Sequence, residues 1–174
     1  SENPMLQELR GSKPCLKVLA KSDLADEART RQWVEFLNQV ENVRARAVTT
    51  EDIPSIRRLK HTAARMVPHR EGRTVTVMVA GIPNVGKSTL INILAGRKIA
   101  KTGNTPAVTK QQQRVPIGDS VTLLDTPGVM WPNVENPNSG YRLAILGSMS
   151  FAAACFTSHK DQSVAVGELL RGVD

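Results

Sequence analysis

Aromatic residues and cysteines are scarce in this chain, and each scarcity excludes a class of function. Phe, Trp and Tyr make up 3% of the residues, too few for a surface on which nucleic-acid bases stack. The two cysteines, Cys15 and Cys155, stand among apolar neighbours without the spacing of metal ligands. Neither a cysteine metal site nor a disulfide is therefore indicated. Cysteine usage of this kind is typical of a reducing compartment, and we expect a cytoplasmic protein.

Long apolar runs are absent as well. No stretch approaches the roughly 20 apolar residues that a helix needs to cross a bilayer. Residues 1–4 have neither the basic start nor the apolar core of a secretory signal. The length of 174 residues, with 40% hydrophobic and 22% charged residues, suits one soluble globular domain with at most a small appendage.

Positive charge is present in excess. The chain has 23 Lys and Arg residues against 16 Asp and Glu residues, a formal net charge of +7. Such a balance favours a polyanionic partner such as nucleic acid, although a basic surface that is merely solvated fits the charge equally well. If RNA is bound, the scarcity of aromatics indicates contacts to phosphates rather than to bases.

The apolar pattern predicts strands that alternate with helices. Strands are expected over 16–20, 44–49 and 74–80, and a hairpin over 115–117 and 121–124, with Pro116 on an edge strand. Helices are expected from Asp26 to about 40, from Pro54 onward, and over 89–95 with Gly96 closing the last one. The alternation predicts an α/β fold with a parallel sheet covered on both faces.

Two of the predicted helices have distinct faces. The first carries apolar residues on one face: Trp33, Phe36, Leu37 and Val40. The second turns Ile56 and Leu59 inward, while its other face carries basic residues: Arg57, Arg58, Lys60 and Arg65.

Residues 81–88 match the phosphate-binding pattern G-x-x-x-x-G-K-[ST] at every position, between a predicted strand and a predicted helix. Glycines let the backbone wrap closely around an anion, and successive N–H groups and the helix N-terminus point at the phosphates. Lys87 supplies charge at the β- and γ-phosphates, and Ser88 supplies a hydroxyl ligand for Mg²⁺. The predicted nucleotide contacts are Pro83, Asn84, Val85, Gly86, Lys87, Ser88 and Thr89.

A carboxylate at the end of a later strand completes this pattern. Asp125 follows the apolar run 121–124, where it can hold Mg²⁺ through water. Gly128, in the same Asp-Thr-Pro-Gly segment, can bring a backbone N–H to the γ-phosphate without obstruction by a side chain. The polar segment between loop and carboxylate is the natural switch, ordered by the γ-phosphate and Mg²⁺. We favour Thr109 over Thr105 as its metal-binding hydroxyl.

The residues that follow another predicted strand indicate which nucleotide base is bound. Lys21 and Asp23 follow the strand over 16–20, where a loop reaches the nucleotide edge of a sheet. An Asp carboxylate can accept hydrogen bonds from two adjacent donors of guanine, a pair that adenine does not offer, and the Lys stem can lie over the ring. Thr49 and Thr50, at the end of the next strand, can support the base from the other side. Guanine is therefore the predicted base.

The order of these motifs resembles one known family. In standard GTPases the base-reading motif follows the phosphate loop, whereas here it precedes the loop. With residues 3–5, 99–103 and 129–132, this order resembles the circularly permuted GTPases, specifically the bacterial ribosome biogenesis GTPase A family and its mitochondrial relatives. The resemblance covers about residues 1–170.

The resemblance implies a three-layer P-loop NTPase (Rossmann-like) fold with a mainly parallel sheet. The circularly permuted GTPase domain is expected over 1–150 and the start of a C-terminal helical region over 151–174. Ala20 stands where the family usually has an Asn that braces the base and the phosphate loop, and Ala107 replaces a usual glycine. The family's first strand, expected before Ser1, and most of its helical domain, expected after Asp174, are outside this sequence, which in this respect resembles a fragment.

Hydrolysis is expected to be slow without an activator. Many GTPases place a Gln directly after the Asp-x-x-Gly glycine to orient the attacking water, and this chain has Val129 there. A partner, a distant residue or a monovalent cation would then supply the positioning. Related GTPases with Asn at the position of Asn84 bind K⁺ there, which the resemblance implies here; a loop-shaping role is the alternative. No histidine has a spacing that marks a general base.

Three hypotheses follow. The first is a GTP-hydrolysing assembly factor for the large ribosomal subunit, with Lys87, Thr109 and Gly128 in catalytic roles; the ribosome is what the resemblance implies. The second is a nucleotide-gated module that binds RNA or the ribosome with little turnover, which Val129 favours. The third is a P-loop ATPase, which Ala20 leaves open. The sequence does not indicate an oligomeric state.

Overall fold

The computed structural model describes residues 10–68, 72–100 and 113–128, together with Leu6 and Glu8. Within them the chain forms five strands, one 3-10 helix and three α-helices: β1 (Cys15–Leu19), the 3-10 helix (Ser22–Leu24), α1 (Glu27–Asn38), β2 (Val43–Ala47), α2 (Ile53–Arg65), β3 (Val75–Val79), α3 (Lys87–Ala95), β4 (Gln113–Ile117) and β5 (Val121–Asp125). The predicted strands and helices over these residues are confirmed. The predicted switch at 103–110 and the domain boundary at 150 lie outside the described residues.

Strand pairing is mainly parallel, as predicted. β1 pairs with β2 in parallel, and β3 pairs with β5 in parallel. β4 runs antiparallel to β5 and forms the edge of the order β3-β5-β4. Pro116 lies on this edge strand, where its missing N–H is tolerated. The described strands thus form one two-stranded and one three-stranded sheet.

Local signals set the helix ends. The Asp26 carboxylate accepts a hydrogen bond from the Arg29 N–H at 2.7 Å and caps α1. Asp52 caps α2 in the same way, through the Ser55 N–H at 3.0 Å. Such caps stabilise a helix because the first N–H groups lack partners inside it. Gly96, with φ of 67°, closes α3 in the left-handed conformation that glycine adopts without strain.

The β1–β2 sheet lies between helices. On one face, Leu16 and Val18 of β1 pack with the buried Ile56 and Leu59 of α2 and with side chains of α3. On the other face α1 covers β2, where the Asn38 side chain accepts a hydrogen bond from the Ala45 N–H at 3.0 Å. The β3–β5–β4 sheet packs its core against α3, around the fully buried Ile91. The arrangement confirms the predicted three-layer α/β class.

The apolar face predicted for α1 is largely exposed in the described part of the chain. Trp33 and Phe36 are 58% and 57% exposed, and they pack edge to face with ring centroids 5.8 Å apart. The physical reason is the width of the layer below, because the described sheet under α1 has two strands and accommodates only part of the helix face. Among the described helices, none combines the length and apolarity that a membrane span requires.

The core around α3 allows a direct test of these packing assignments. We expect Ile91→Ala to lower the free energy of unfolding by about 2–5 kcal/mol, because truncation leaves a cavity where Ile91 is 0% exposed. Leu24→Ala is the matched control, since Leu24 is 76% exposed, and it should change the same quantity by less than about 0.5 kcal/mol. Urea denaturation measures both. Equal effects of the two substitutions would contradict the assigned core.

Candidate functional site

The turn between β3 and α3 has the backbone of an anion-binding loop. Asn84 and Gly86 adopt positive φ values of 58° and 97°, which fold the chain back on itself. α3 starts at Lys87, and no side chain caps its first turn. The first N–H groups of a helix need partners, and here the partner can be a ligand. The geometry of residues 81–88 therefore suits an anion, as the sequence pattern predicts.

The Lys87 side chain lies across this loop. Its Nζ donates hydrogen bonds to the carbonyl oxygens of Gly81 and Ile82, at 3.0 and 2.7 Å. Burial lowers the pKa of the Lys87 ammonium, and the negative charge of Asp125 opposes this shift. The loop thus holds a partly desolvated cation, whose attraction for phosphate is stronger than that of an exposed lysine.

Asp125 lies beside the loop because of strand register. β3 and β5 pair so that Asp125 is opposite Val79, the last residue of β3. The carboxyl is 1% exposed, and its Oδ1 atom has no hydrogen-bond partner among the described residues. Burial raises the pKa of Asp125, while the charge of Lys87 and the backbone N–H of Thr126 act in the opposite direction.

A buried carboxylate oxygen without a partner is costly, and a bound cation removes that cost. Such an atom fits Mg²⁺. No group of three or more His, Cys, Asp or Glu residues within the described ranges forms a metal cluster. The described residues therefore offer hydroxyls as further magnesium ligands beside Asp125, and water and phosphate oxygens usually complete such a set at a nucleotide site.

Two contacts hold the Asp-Thr-Pro-Gly turn against the phosphate loop. The Thr126 hydroxyl donates a hydrogen bond of 2.7 Å to the Val79 carbonyl oxygen. Gly128 lies directly on Pro83, since a Cβ atom built on Gly128 would be 2.8 Å from both the ring Cγ and the backbone nitrogen of Pro83. The glycine is thus required for close approach to the loop.

The predicted base-reading residues form a second group. β1 ends at Leu19, and Lys21 takes a left-handed conformation with φ of 56° before the 3-10 helix that contains Asp23. The Ser22 N–H donates to the Val48 carbonyl oxygen at 3.2 Å, which ties this turn to the segment that leads into Thr49. Asp23 and Thr50 are exposed. The structure therefore brings the Lys21–Asp23 segment next to Thr49 and Thr50.

The two groups belong to different sheets. They are connected through α3, because Leu90 and Ile93 of this helix pack in one cluster with Leu16 and Val18 of β1. Thr109, Thr105 and Val129 lie outside the described residues.

Sequence reasoning did not single out two residues whose side chains form hydrogen bonds with the backbone, and one of them, Thr126, belongs to the site. Thr126 anchors the turn after Asp125. In the sequence it could have been recognised as a hydroxyl residue between the strand-end carboxylate and the Pro-Gly pair. Asn92 accepts hydrogen bonds from the N–H groups of Ile99 and Ala100, both at 2.8 Å, and donates to the Ala100 carbonyl at 2.9 Å. In the sequence, Asn92 could have been recognised as the one amide side chain in an apolar helix, because a buried polar side chain needs hydrogen-bond partners.

Comparison with known proteins identifies the family of this site. The family model described as 50S ribosome-binding GTPase matches residues 76–164, which include the phosphate loop and Asp125. This chain belongs to the 50S ribosome-binding GTPase family. The matched region is just over half of the chain, and the resemblance inferred from the motif order is confirmed.

Relatives of this GTPase family match most of the chain. The chain is 37% identical over 159 residues to ribosome biogenesis GTPase A of Priestia megaterium, covering 86% of this chain and 55% of that protein. It is 38% identical over 163 residues to mitochondrial ribosome-associated GTPase 1 of Mus musculus, covering 84% and 49% of the two chains. The chain thus spans about half the length of these curated relatives.

A solved structure of this type has the same fold. The crystal structure of GNP-bound YlqF from T. maritima superposes with a TM-score of 0.52 at 25% sequence identity, over 83% of this chain and 56% of that one. The circularly permuted arrangement inferred from the sequence accords with this likeness.

The buried carboxyl predicts a pH-dependent effect on stability. In metal-free, nucleotide-free protein we expect Asp125→Asn to raise the free energy of unfolding at pH 8. The raised pKa means that ionisation of Asp125 opposes folding, and the amide removes that penalty. The gain should shrink as pH falls through the raised pKa and disappear below the ordinary carboxyl range, where Asp125 is neutral in both states.

Urea denaturation at pH 5 and pH 8 in the presence of a chelator measures this gain. Asp119→Asn, at an exposed turn position, is the matched control and should show no such pH dependence. A loss of stability in Asp125→Asn that is the same at both pH values would contradict the assignment.

The hydrogen bond of the Thr126 hydroxyl predicts that substitutions with and without a hydroxyl differ in stability. We expect Thr126→Val, which keeps the side-chain shape but loses the donor to the Val79 carbonyl, to lower the free energy of unfolding by about 1–2 kcal/mol. Thr126→Ser keeps the hydroxyl and should retain most of that energy. Thermal and urea denaturation of both variants decide the point, and equal losses in the two would exclude a role for the hydrogen bond.

Proposed function

We propose that this chain binds GTP with Mg²⁺, hydrolyses it to GDP and phosphate, and acts in the cytoplasm in assembly of the large ribosomal subunit. The observation that carries the proposal is the buried Asp125 Oδ1 atom, which has no hydrogen-bond partner among the described residues and lies beside the phosphate loop that holds Lys87. Family membership supports the activity. The names of the relatives, ribosome biogenesis GTPase A and mitochondrial ribosome-associated GTPase 1, support the ribosomal setting.

In this proposal the phosphates bind to the backbone N–H groups of residues 83–89 and to the Lys87 ammonium. Mg²⁺, held by Ser88, Asp125 and Thr109, would neutralise charge on the β- and γ-phosphates. A water molecule adds to the γ-phosphorus, the bond from that phosphorus to the bridging oxygen breaks, and the water proton leaves with phosphate. The Gly128 N–H and Lys87 stabilise the negative charge that shifts during transfer.

Base recognition is assigned to the second group. The Asp23 carboxylate accepts from the two adjacent donors of guanine, Lys21 covers the ring, and Thr49 and Thr50 support the base from the far side. Ala20 replaces a bracing amide at this point of the turn, so the carboxylate carries most of the discrimination. A P-loop ATPase is the competing assignment that Ala20 leaves open.

Turnover is proposed to be slow without an activator, because Val129 cannot orient water. K⁺ at Asn84 is the proposed aid to the reaction, by analogy with related GTPases. The same valine supports a second candidate function, a nucleotide-gated RNA-binding module that hardly hydrolyses GTP. We place the GTPase domain at 1–150 and the start of a C-terminal helical region at 151–174.

A phosphate-release assay tests the activity. Full-length protein is incubated with GTP and Mg²⁺ in K⁺ or Na⁺ buffer, with and without large ribosomal subunits. We expect release to be faster in K⁺ and faster again with subunits, and Lys87→Ala to reduce it about 100-fold. Lys13→Ala, at an exposed position, is the control. Release no faster than that of Lys87→Ala in any buffer, with GTP binding intact, would reject the hydrolase in favour of the gated module.

Base specificity is tested separately. We expect Asp23→Asn to weaken GDP binding about 10–100-fold, since the charged acceptor of two hydrogen bonds is lost, and to leave ADP binding unchanged. Asp119→Asn makes the same chemical change at an exposed turn and should have no effect. Competition between GDP and ADP for a fluorescent guanine nucleotide measures both. Wild-type protein that prefers ADP would support the ATPase instead.

A further inference from the structure

Among the described residues, a cluster of basic side chains lies on one side of the fold. α2 and α3 lie side by side, because Ile56 and Leu59 of α2 pack in one cluster with Leu90 and Ile93 of α3. Neither helix contains an acidic residue, and none occurs over residues 53–68 or 87–100. At the start of α2, Asp52 is engaged as the helix cap. At the start of α3, the charge of Asp125 acts on Lys87.

Exposed basic side chains cover the outer surface of these helices. Arg57, Arg58 and Arg65 are exposed on α2, at helical positions that point away from the buried Ile56 and Leu59. Arg97 and Lys98 are exposed immediately after α3 ends.

The register of β1 and β2 extends this surface. Leu16 pairs with Arg44 and Val18 with Arg46, and residues opposite each other in a parallel pair point to the same face of the sheet. Since Leu16 and Val18 face α2 and α3, Arg44 and Arg46 emerge on that side, where both are exposed. We call the set the basic face: Arg44, Arg46, Arg57, Arg58, Arg65, Arg97 and Lys98.

The opposite side of the same sheet has a different charge. α1 carries Glu27 and Glu35 against Arg29 and Arg31, and acidic residues flank it on both sides. Arg31 is paired with Glu27 at 2.9 Å. The uncompensated positive charge of the basic face is therefore not shared by α1.

A groove of about 410 Å³ runs between α2 and α3 within the basic face. Arg57 lines one side and Arg97 the other, and the Thr89 and Asn92 side chains line the wall between them. Arg57 and Arg97 supply the charge of a groove whose lining is otherwise mainly apolar, with Ile53 and Ile93. Guanidinium groups suit a phosphate, because their donors form paired hydrogen bonds with its oxygens. Thr89 directly follows Ser88, so the groove adjoins the nucleotide loop.

We propose that the basic face binds the phosphate backbone of RNA, with the groove between α2 and α3 at its centre. This inference rests on the proposed ribosomal function and names the surface that makes the contact. Arginine predominates in the set, as is usual in nucleic-acid recognition. The exposed Trp33 and Phe36 belong to α1 on the other side of the sheet, so the contacts are to phosphates and not to stacked bases. The same lack of aromatics disfavours an anionic membrane as the partner.

Charge reversal tests the proposal in full-length protein. Arg57→Glu with Arg97→Glu should weaken binding to large ribosomal subunits, and to a 20-base-pair RNA duplex used as a defined probe, by about tenfold or more. The slope of log K against log salt should fall by about 2, one for each lost phosphate contact. Arg44→Glu with Arg46→Glu, outside the helices, should weaken binding in the same direction.

Arg29→Glu with Arg31→Glu is the matched control, since it makes the same change in net charge on α1, and it should leave both affinities within about twofold. GDP affinity and melting temperature of each variant report an intact fold. Wild-type protein that binds the duplex through the basic face but not the subunits would reject the ribosomal function and sustain the inference. Subunit binding that survives both basic-face variants, or that the α1 control weakens equally, would overturn it. Binding of the protein to anionic vesicles without binding to RNA would also overturn the proposal.

Discussion

The parallel pairing of β3 with β5 is the constraint on which the site depends. It sets Asp125 opposite Val79, at the last residue of the strand that leads into the phosphate loop. One residue later, the Thr126 hydroxyl donates a hydrogen bond to the Val79 carbonyl oxygen and again joins the end of β5 to the end of β3. Gly128 then lies against Pro83. A carboxylate suited to a metal and a phosphate loop from distant parts of the chain thereby become neighbours.

This proximity has an energetic cost that the fold tolerates. Lys87 and Asp125 are both partly shielded from water. Burial lowers the pKa of Lys87 and raises that of Asp125, so it favours the neutral form of each side chain. The Lys87 ammonium donates hydrogen bonds to two loop carbonyl oxygens, whereas Asp125 Oδ1 has no hydrogen-bond partner among the described residues. Unsatisfied buried groups of this kind persist where a ligand completes them, and the stability given up in the empty protein returns when the ligand binds. The basic face adds a second polar surface on the outer side of α3, the helix that the same loop begins.

Much of the local structure could be predicted from contiguous residues. The phosphate-loop pattern predicts its own turn and the following helix, Asp26 predicts the start of α1, and Pro116 predicts an edge strand. Each signal acts within a few residues, where backbone sterics and capping hydrogen bonds dominate. The order of the motifs was sufficient to suggest the permuted family, because the carboxyl ends of parallel strands face one edge whatever their order in the chain.

The amino-acid sequence by itself therefore determined the elements, the anion-binding loop and the residue types that can hold nucleotide and metal. Only the tertiary structure decided that Asp125 is buried with an open oxygen, that Thr126 bonds a carbonyl 47 residues away, and that Trp33 and Phe36 remain exposed. It also decided that Arg44 joins the arginines of α2 on one surface. These features depend on strand register and on which side chains exclude water from one another, and such long-range packing leaves no periodic signal along the chain.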